Sequence, residues 1–345
     1  MTDIVLETDL FKPVALTTAV NAFKPAESLV YSDLFAPRLH TADSETLLFD
    51  VLTGSEGILP NIRNHAPATV NDKTGRRAIT MTAPRVAEKR QILTADLLRV
   101  RSYGSIATMM MMDRINYELR DMTNDVFRTL EYWSCGALRG KILDVDGTTT
   151  LIDFNVPDTH NLTLTSTDKW SDADSDPIGN LESWKQTVQE DTAGVINEWR
   201  CYCGFRVMNA LLKNPSVQDK FKYTAGTQMA VSGDIPQLAG VTMLRHGGSF
   251  LDSNKVRRHY IDPDEIILVG LGNDTVDCMA APIVDEDAQQ GIGNIIVDTE
   301  GKFQPQVFYA KSWKEEDPSA RWIKIEARVL PILRRPTSVL HAKVQ

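Results

Sequence analysis

The sequence predicts an α+β protein in which a long helix and several antiparallel strands occupy separate stretches of the chain. Residues 105–135 contain neither Pro nor Gly and place apolar side chains every three or four residues, which is typical of an amphipathic helix. Residues 141–156 and 321–330 alternate apolar and polar side chains, which is typical of strands with one buried face. Within the first of these segments, Asp146-Gly147 predicts a tight β-hairpin turn.

The composition is that of a folded, acidic protein. Its 345 residues are 42% hydrophobic and 24% charged, and the formal net charge is −9. The chain is longer than a typical single domain with one hydrophobic core, so we expect about two packed units. The acidic balance disfavours a protein that grips phosphates tightly, because such binding needs clustered Lys and Arg.

The sequence indicates a protein that is kept in a reducing, aqueous compartment. Cys201 and Cys203 are too close for an easy mutual disulfide, and no second pair with metal-ligand spacing follows, so we expect all four cysteines to be buried thiols. The other two are Cys135 and Cys278. The acidic N-terminal residues lack the basic stretch and apolar run of a signal peptide. No segment approaches the roughly 18 apolar residues of a membrane span, so we expect no membrane partner.

The N-terminal residues 1–45 predict an extended arm. They contain three prolines and hold no lasting helical period, apart from one short helical piece near Thr17–Phe23. Such an arm cannot bury its own Leu, Phe and Val side chains. We therefore expect it to lie on another surface, such as a neighbouring subunit.

The next segment predicts a two-stranded excursion over residues 50–95. A strand-like run at 45–52 and an alternating run at 77–82 flank a strong turn signal at 71–75. The segment offers few core residues, and an isolated hairpin is only marginally stable in water. We expect its support to come from another chain.

This excursion supplies the candidate subunit-interface residues. Ile79 and Met81 share one face of the alternating run, and Lys73 lies near the predicted tip. Arg76 and Arg77 form a small basic patch, which indicates a solvated face or a salt bridge between subunits. These five residues are the hypothesis for the interface.

Three helices follow from the remaining periodicity. One stripe of the long helix comprises Ile115, Leu119, Met122, Val126, Leu130 and Trp133. Asp176 and Pro177 fit the N-cap and first position of a second helix, whose inward face is predicted to run from Leu181 to Trp199. A third helix covers residues 205–212 and ends before Asn214-Pro215. It contains the apolar residues Phe205, Met208, Leu211 and Leu212.

Short β segments alternate with polar turns over residues 237–283, and the C-terminal part contains the clearest strand. That strand is predicted to place two sets of side chains on opposite faces. The apolar face comprises Ile323, Ile325, Ala327 and Val329. The other face comprises Trp322, Lys324, Glu326 and Arg328.

No local motif predicts catalysis, a cofactor or a metal. Residues 172–176 match the first three ligands of a calcium loop, but Pro177 stands where the loop needs Gly and Ser183 where it needs Glu. The segment is instead predicted to be an acidic turn that leads into a helix cap. The six histidines are scattered, and a dispersed Ser-His-Asp triad stays open because such residues occur in nearly any chain of this size.

Four segments resemble the major head (capsid) proteins of tailed bacteriophages, in particular the lambda-type family. Residues 168–199 give a Trp-containing polar lead into a helix, and 209–222 give an apolar helix, a short break and a V-x-x-K run. Residues 262–291 contain a P-D strand opening and a D-A-Q element. Residues 311–344 contain K-x-W, a D-P-S-A-R turn and a P-I-L tail.

The resemblance implies an HK97-like capsid fold without catalytic, cofactor or metal residues. Its parts would be an N-terminal arm (1–45), an extended β-hairpin E-loop (46–95), a spine helix with a P-domain hairpin (96–170), an A domain (171–299) and C-terminal P-domain strands (300–345). The family implies hexamers and pentamers that form an icosahedral head in the host cytoplasm. It also implies scaffold, portal and decoration partners, with double-stranded DNA enclosed without specific binding.

Two other interpretations remain open from the sequence. An encapsulin-like compartment would share the fold and hold enzyme cargo, although the C-terminal resemblance argues against it. A soluble enzyme that uses scattered acidic residues would instead be a monomer or small oligomer with a deep polar pocket.

Overall fold

A computed structural model describes residues 12–23, 29–53, 75–93, 111–192, 196–221, 234–252, 254–287, 294–297, 303–317 and 320–345. The helices in this part of the chain are α1 (Pro13–Ala22), α2 (Met111–Leu138), α3 (Pro177–Asp191), α4 (Phe205–Lys213) and α5 (Pro215–Phe221), with single turns at Tyr31–Phe35, Ala36–Arg38, Asp158–His160, Ser166–Asp168 and Pro336–Ser338.

The strands fall into two groups along the chain. Those before α4 are β1 (Leu39–Thr41), β2 (Thr46–Thr53), β3 (Gly75–Thr82), β4 (Val86–Leu93), β5 (Lys141–Leu143), β6 (Thr150–Asp153), β7 (Asn161–Thr163) and β8 (Glu198–Gly204). Those after α5 are β9 (Gln237–Leu238), β10 (Val241–His246), β11 (Ser249–Leu251), β12 (Arg257–His259), β13 (Glu265–Leu271), β14 (Val276–Ala280), β15 (Ile295–Val297), β16 (Phe303–Pro305), β17 (Phe308–Glu315), β18 (Ala320–Ala327), β19 (Val329–Leu333) and β20 (Val339–Lys343).

The chain divides into two compact units, as its length predicts. Unit 1 comprises Met1–Leu47, Thr80–Tyr132 and Cys278–Pro331. Unit 2 comprises Leu48–Ile79, Trp133–Asp277 and Ile332–Gln345.

Unit 1 is organised around an antiparallel sheet in the order β17-β18-β4. The inward side chains Ile323, Ile325 and Ala327 of β18 are fully buried, as the alternation predicts. The pairing of β4 with β18 runs from Val86 to Leu93. The predicted excursion to residue 95 is therefore wrong for 86–93, because this strand is held by its own chain.

Helix α1 covers the outer edge of that sheet. Thr17 and Asn21 lie four residues apart and therefore on the same face of α1. Ala310 N donates to Thr17 Oγ1 at 3.0 Å, while Phe308 N donates to the Asn21 amide oxygen at 3.1 Å and Phe308 O accepts from Asn21 Nδ2 at 3.0 Å. These contacts satisfy backbone groups that an edge strand would otherwise expose.

The segment after α1 is also held by its own chain. The Glu131 carboxylate of α2 accepts hydrogen bonds from three backbone N–H groups, those of Leu29 (3.1 Å), Val30 (2.8 Å) and Tyr31 (2.8 Å). Val30 and Tyr31 are buried, as are Leu34 and Phe35. The expectation that the arm cannot bury its apolar groups is wrong for 12–23 and 29–41, and residues 1–11 and 24–28 lie outside the described part.

Unit 2 contains a mixed sheet in the order β7-β20-β13-β8-β10-β9. Its central strand β13 is buried at every position. The apolar core between this sheet and its helices includes Trp170 and Trp184, whose rings stack with centroids 5.7 Å apart. Trp170 precedes α3 and Trp184 lies within it, so both the segment before the helix and the helix itself contribute to this core.

The start of α3 confirms the cap prediction, whereas its end corrects the periodicity. The Asp176 side chain accepts from Gly179 N at 3.1 Å and Pro177 occupies the first turn. The helix ends at Asp191, so the inward face extended to Trp199 is wrong. Trp199 lies in β8, where pairing with both β10 and β13 overrides the local period.

Several other predictions are confirmed. All six residues of the α2 stripe are buried, and the helix runs to Leu138. The predicted hairpin turns at Gly147, whose φ of 71° suits glycine. Helix α4 stops before Asn214 as predicted, and it buries Met208 and Leu211 while Phe205 is exposed.

Candidate assembly surface

Strands β2 and β3 form a separate two-stranded sheet, which we call the ribbon (46–53 and 75–82). One face of β2 is buried through Leu47, Phe49 and Val51, because these alternate residues point the same way. On its other face Leu48 is 64% exposed. The ribbon is therefore anchored on one side and open on the other.

The predicted interface residues lie on β3 and are not all equivalent. Arg76 and Arg77 are exposed, whereas Ile79 and Met81 are partly buried. The described ion pair of Arg76 is a long one, at 3.8 Å from an exposed Asp50 carboxylate. Lys73 lies outside the described residues. Both guanidinium groups thus remain accessible to a second molecule.

A charge cluster on α2 and β4, within unit 1, was not anticipated. Arg90 bonds four carboxylates, those of Glu88 (2.7 Å), Glu118 (2.9 Å), Asp121 (2.5 Å) and Asp125 (2.7 Å). Burial opposes its charge, but the hydrogen bonds that Arg90 donates to Asp121, Glu118 and Glu88 outweigh that effect and raise the pKa of Arg90. The three-to-four-residue spacing of the α2 acids was the available sequence signal.

Glu326 of β18 shows where the two-faced strand prediction fails. The alternation places it on the outer face, yet the residue is only 2% exposed. Arg85 forms a two-pronged contact with it at 2.7 and 2.8 Å, and Lys324 approaches to 2.6 Å. Burial alone would raise the pKa of Glu326, but the bonds from Arg85 and Lys324 lower it to about 2.

A corresponding ionic cluster lies in unit 2. Glu265 of β13 is 1% exposed and pairs with Arg139, whose Nε and Nη2 donate at 2.8 and 3.2 Å. His341 of the adjacent β20 also contacts its carboxylate. Burial alone would raise the pKa of Glu265, but His341 and Arg139 lower it to about 2. This cluster joins Arg139 to two neighbouring strands of the sheet within unit 2.

All four cysteines are buried thiols, as predicted. Cys201 and Cys203 lie on the same face of β8 with sulfur atoms 3.5 Å apart. The hydrogen bond to Cys203, then burial, raises the pKa of Cys201 well above its usual value. Within the described residues, no helix is long and apolar enough to cross a membrane.

The family model described as Phage major capsid protein E matches residues 12–344. The chain belongs to this family. It is a structural protein of a bacteriophage capsid, and the recognition of a phage major capsid protein is confirmed at that level. The assignment to the lambda-type branch stays a prediction.

Solved structures agree with the HK97-like fold. A prophage protein of E. coli CFT073 described as a capsid protein is similar with a TM-score of 0.64 and 15% identity, over 97% of this chain and 99% of that one. The capsid of cyanophage P-SCSP1u gives a TM-score of 0.57 at 11% identity, over 93% and 89%. The mature capsid of bacteriophage PhiM1 gives 0.55 at 11%, over 93% and 90%. A comparison with curated protein sequences gives no match.

Proposed function

We propose that many copies of this capsid protein assemble into hexamers and pentamers that close an icosahedral head around double-stranded DNA. The observation that carries the contact model is the ribbon, which is anchored by Leu47 and Phe49 but leaves Leu48 and the two arginines of β3 open. A neighbouring subunit would cover that open face. Arg76 and Arg77, with Ile79 and Met81, would contribute to the contact.

The five-part division follows the same proposal. Residues 46–95 would form the E-loop, but the structure supports an excursion that ends where β4 joins its own sheet at Val86. Residues 171–299 would form the A domain, and 96–170 with 300–345 the P domain. The proposal that an N-terminal arm reaches a neighbouring subunit now applies only to the residues before α1. The described residues of 12–41 pack against their own chain.

The role is structural, and we infer no enzymatic activity, cofactor or metal. Scaffold, portal and decoration proteins would be the partners of assembly in the host cytoplasm, and the virion would be the final location. The net charge of −9 supports a wall that encloses DNA without gripping it. Many weak contacts repeated by symmetry would hold such a shell together.

Particle formation tests this proposal. The purified chain, expressed with and without its scaffold gene, should elute as large particles and appear as closed shells in negative-stain electron microscopy. The variant L48D/R76E/R77E changes only exposed ribbon positions, so it should leave a folded subunit with unchanged circular dichroism that no longer closes shells. Normal shells from this variant would refute the ribbon contact, while a wild-type chain that stays a small oligomer would refute the shell.

A further inference from the structure

The β11–β12 hairpin of unit 2 (249–252 and 254–259) carries an exposed apolar and basic tip. Its strands pair from Ser249 opposite His259 to Leu251 opposite Arg257. Leu251 is 59% exposed and Val256 is 53% exposed. The cations Lys255, Arg257 and Arg258 are exposed as well. In a chain of net charge −9, this is a local reversal of sign that accompanies exposed aliphatic side chains.

A single carboxylate links the described residues on both sides of the tip. Asp252 accepts from the backbone N–H of Asn254 and of Val256, both at 2.9 Å, and from Arg258 Nε at 2.8 Å. Arg258 is thereby neutralised. Lys255 and Arg257 form no ion pair with any carboxylate of the described residues. A preorganised tip with two free cations loses little entropy when it docks.

The same unit presents a loop over residues 168–174 that holds three Asp and one Lys, so it is net acidic and complementary to the tip. Asp168 and Asp174 are exposed, and Asp172 is partly exposed. None of the three forms an ion pair within the described part of the chain. Since the calcium-loop pattern fails here, a metal ion does not account for the accumulated charge.

The hairpin and the acidic loop sit at opposite ends of α4. The ring of Phe205, the first residue of α4, lies 6.2 Å from the ring of His259 in the hairpin. Asn214, which follows the last residue, donates through Nδ2 to Asp172 O at 3.2 Å. A helix of this length spans about 13 Å. The hairpin and the loop are therefore separate surfaces, so one copy can present both.

We propose that the β11–β12 hairpin of one copy docks head-to-tail on the acidic loop 168–174 of a second copy. A heterologous contact of this kind generates a ring when the rotation closes, which is what a hexamer or pentamer requires. The aliphatic tip supplies buried area, and the opposite charges set the orientation and register. The inference rests on the proposed shell function and names the surfaces that would join neighbouring subunits within a capsomer.

Charge complementarity favours a second copy over DNA as the occupant. Tight phosphate binding draws on several clustered cations, whereas this tip offers two free ones beside Leu251 and Val256. Exposed aliphatic groups gain little from a phosphate backbone but gain from burial against protein.

A charge-swap experiment tests the contact. Three variants of the full chain are compared with wild type: K255E/R257E in the hairpin, D168K/D174K in the loop, and the combination of all four substitutions. A control, K220E/K314E, makes the same charge change as the hairpin variant at exposed positions elsewhere. Capsomer rings are measured by native mass spectrometry, shells by sedimentation and electron microscopy, and folding by circular dichroism.

Each hairpin or loop reversal should lower the yield of rings and shells by about tenfold or more, and the combined variant should recover most of it, because weak contacts act together. Unchanged yields from either reversal, or no recovery on combination, would overturn the inference while leaving the shell proposal intact. Shells that form normally but lose DNA in K255E/R257E would overturn it in favour of a nucleic-acid contact. Wild-type chains that give neither rings nor shells would overturn the proposed function itself.

Discussion

Replacing Glu265 with Gln should destabilise unit 2 because it removes a buried charge that faces Arg139. The carboxyl pKa falls from 4.5 to about 2 in the folded protein. At 1.36 kcal/mol per unit, this shift corresponds to about 3 kcal/mol of stability at neutral pH. Breaking a fully buried ion pair costs up to several kcal/mol. The Arg139 side chain is 30% exposed to solvent, which lowers that cost. We therefore expect a loss of about 2–3 kcal/mol for E265Q.

The pH dependence of this loss has a definite sign. A carboxyl whose pKa is depressed on folding stabilises the native state above its unfolded pKa, and this contribution disappears as the pH falls through the folded value. The difference in the free energy of unfolding between wild type and E265Q should therefore be largest at pH 7 and should shrink as the pH falls from 4.5 toward 2.

Urea unfolding of the unassembled subunit, followed by tryptophan fluorescence, measures this difference. The matched control is E198Q, because Glu198 pairs with Arg200 in an exposed position, with 48% of its side chain accessible. That control should cost no more than about 0.5 kcal/mol. If E265Q costs no more than E198Q at pH 7, or if its cost does not shrink in acid, the reasoning about the buried pair is wrong.

Three further predictions concern single positions. Glu131→Gln should cost about 1.5–3 kcal/mol in urea unfolding, because a neutral amide replaces the charged acceptor for three backbone N–H groups of residues 29–31. Gly204→Ala should lower the midpoint of thermal unfolding or prevent folding, because an added Cβ would lie 2.2 Å from the backbone oxygen of Asp262. Cys201 should not react with a thiol reagent until the chain unfolds, because the thiol is buried and its pKa is raised. A reagent that releases a coloured thiolate on reaction measures this by absorbance.

Each of these predictions has a matched comparison. Glu190→Gln on the exposed face of α3 should change stability little, and an equal loss from both glutamates would contradict the anchoring role of Glu131. Gly247→Ala adds a Cβ with no neighbour within 4 Å, so a similar effect from both glycines would contradict the packing argument. Rapid labelling of the native chain with no loss of structure would contradict the burial of the thiols.

Sequence patterns predicted elements well where one local rule acted alone. The α2 stripe was correct because a period of 3.6 sustained over many residues is typical of a helix with one buried face. Asp176 and Gly147 were correct because a cap and a tight turn depend on one or two residues. The family resemblance in the C-terminal half then joined these elements into a capsid fold.

The charge clusters could not be read from sequence in the same way. Arg90 meets acids 28 to 35 residues away, and Glu265 meets partners 126 residues before it and on a neighbouring strand after it. Alternation assigned Glu326 to solvent because a two-residue period records only which face a side chain takes, not what covers that face.

The sequence by itself determined the class of fold, the long helix, the caps and turns, and the reduced state of the cysteines, because each depends on short-range chemistry. Tertiary structure alone decided that the N-terminal segments 12–23 and 29–41 pack on their own chain and that β4 completes its own sheet. Those outcomes depend on contacts between residues that are far apart in sequence. Thr17 and Asn21, for example, accept hydrogen bonds from the backbone of the edge strand β17, from donors that lie 293 and 287 residues later in the chain. The same dependence on distant partners turned Trp199 from a predicted helix into a central strand.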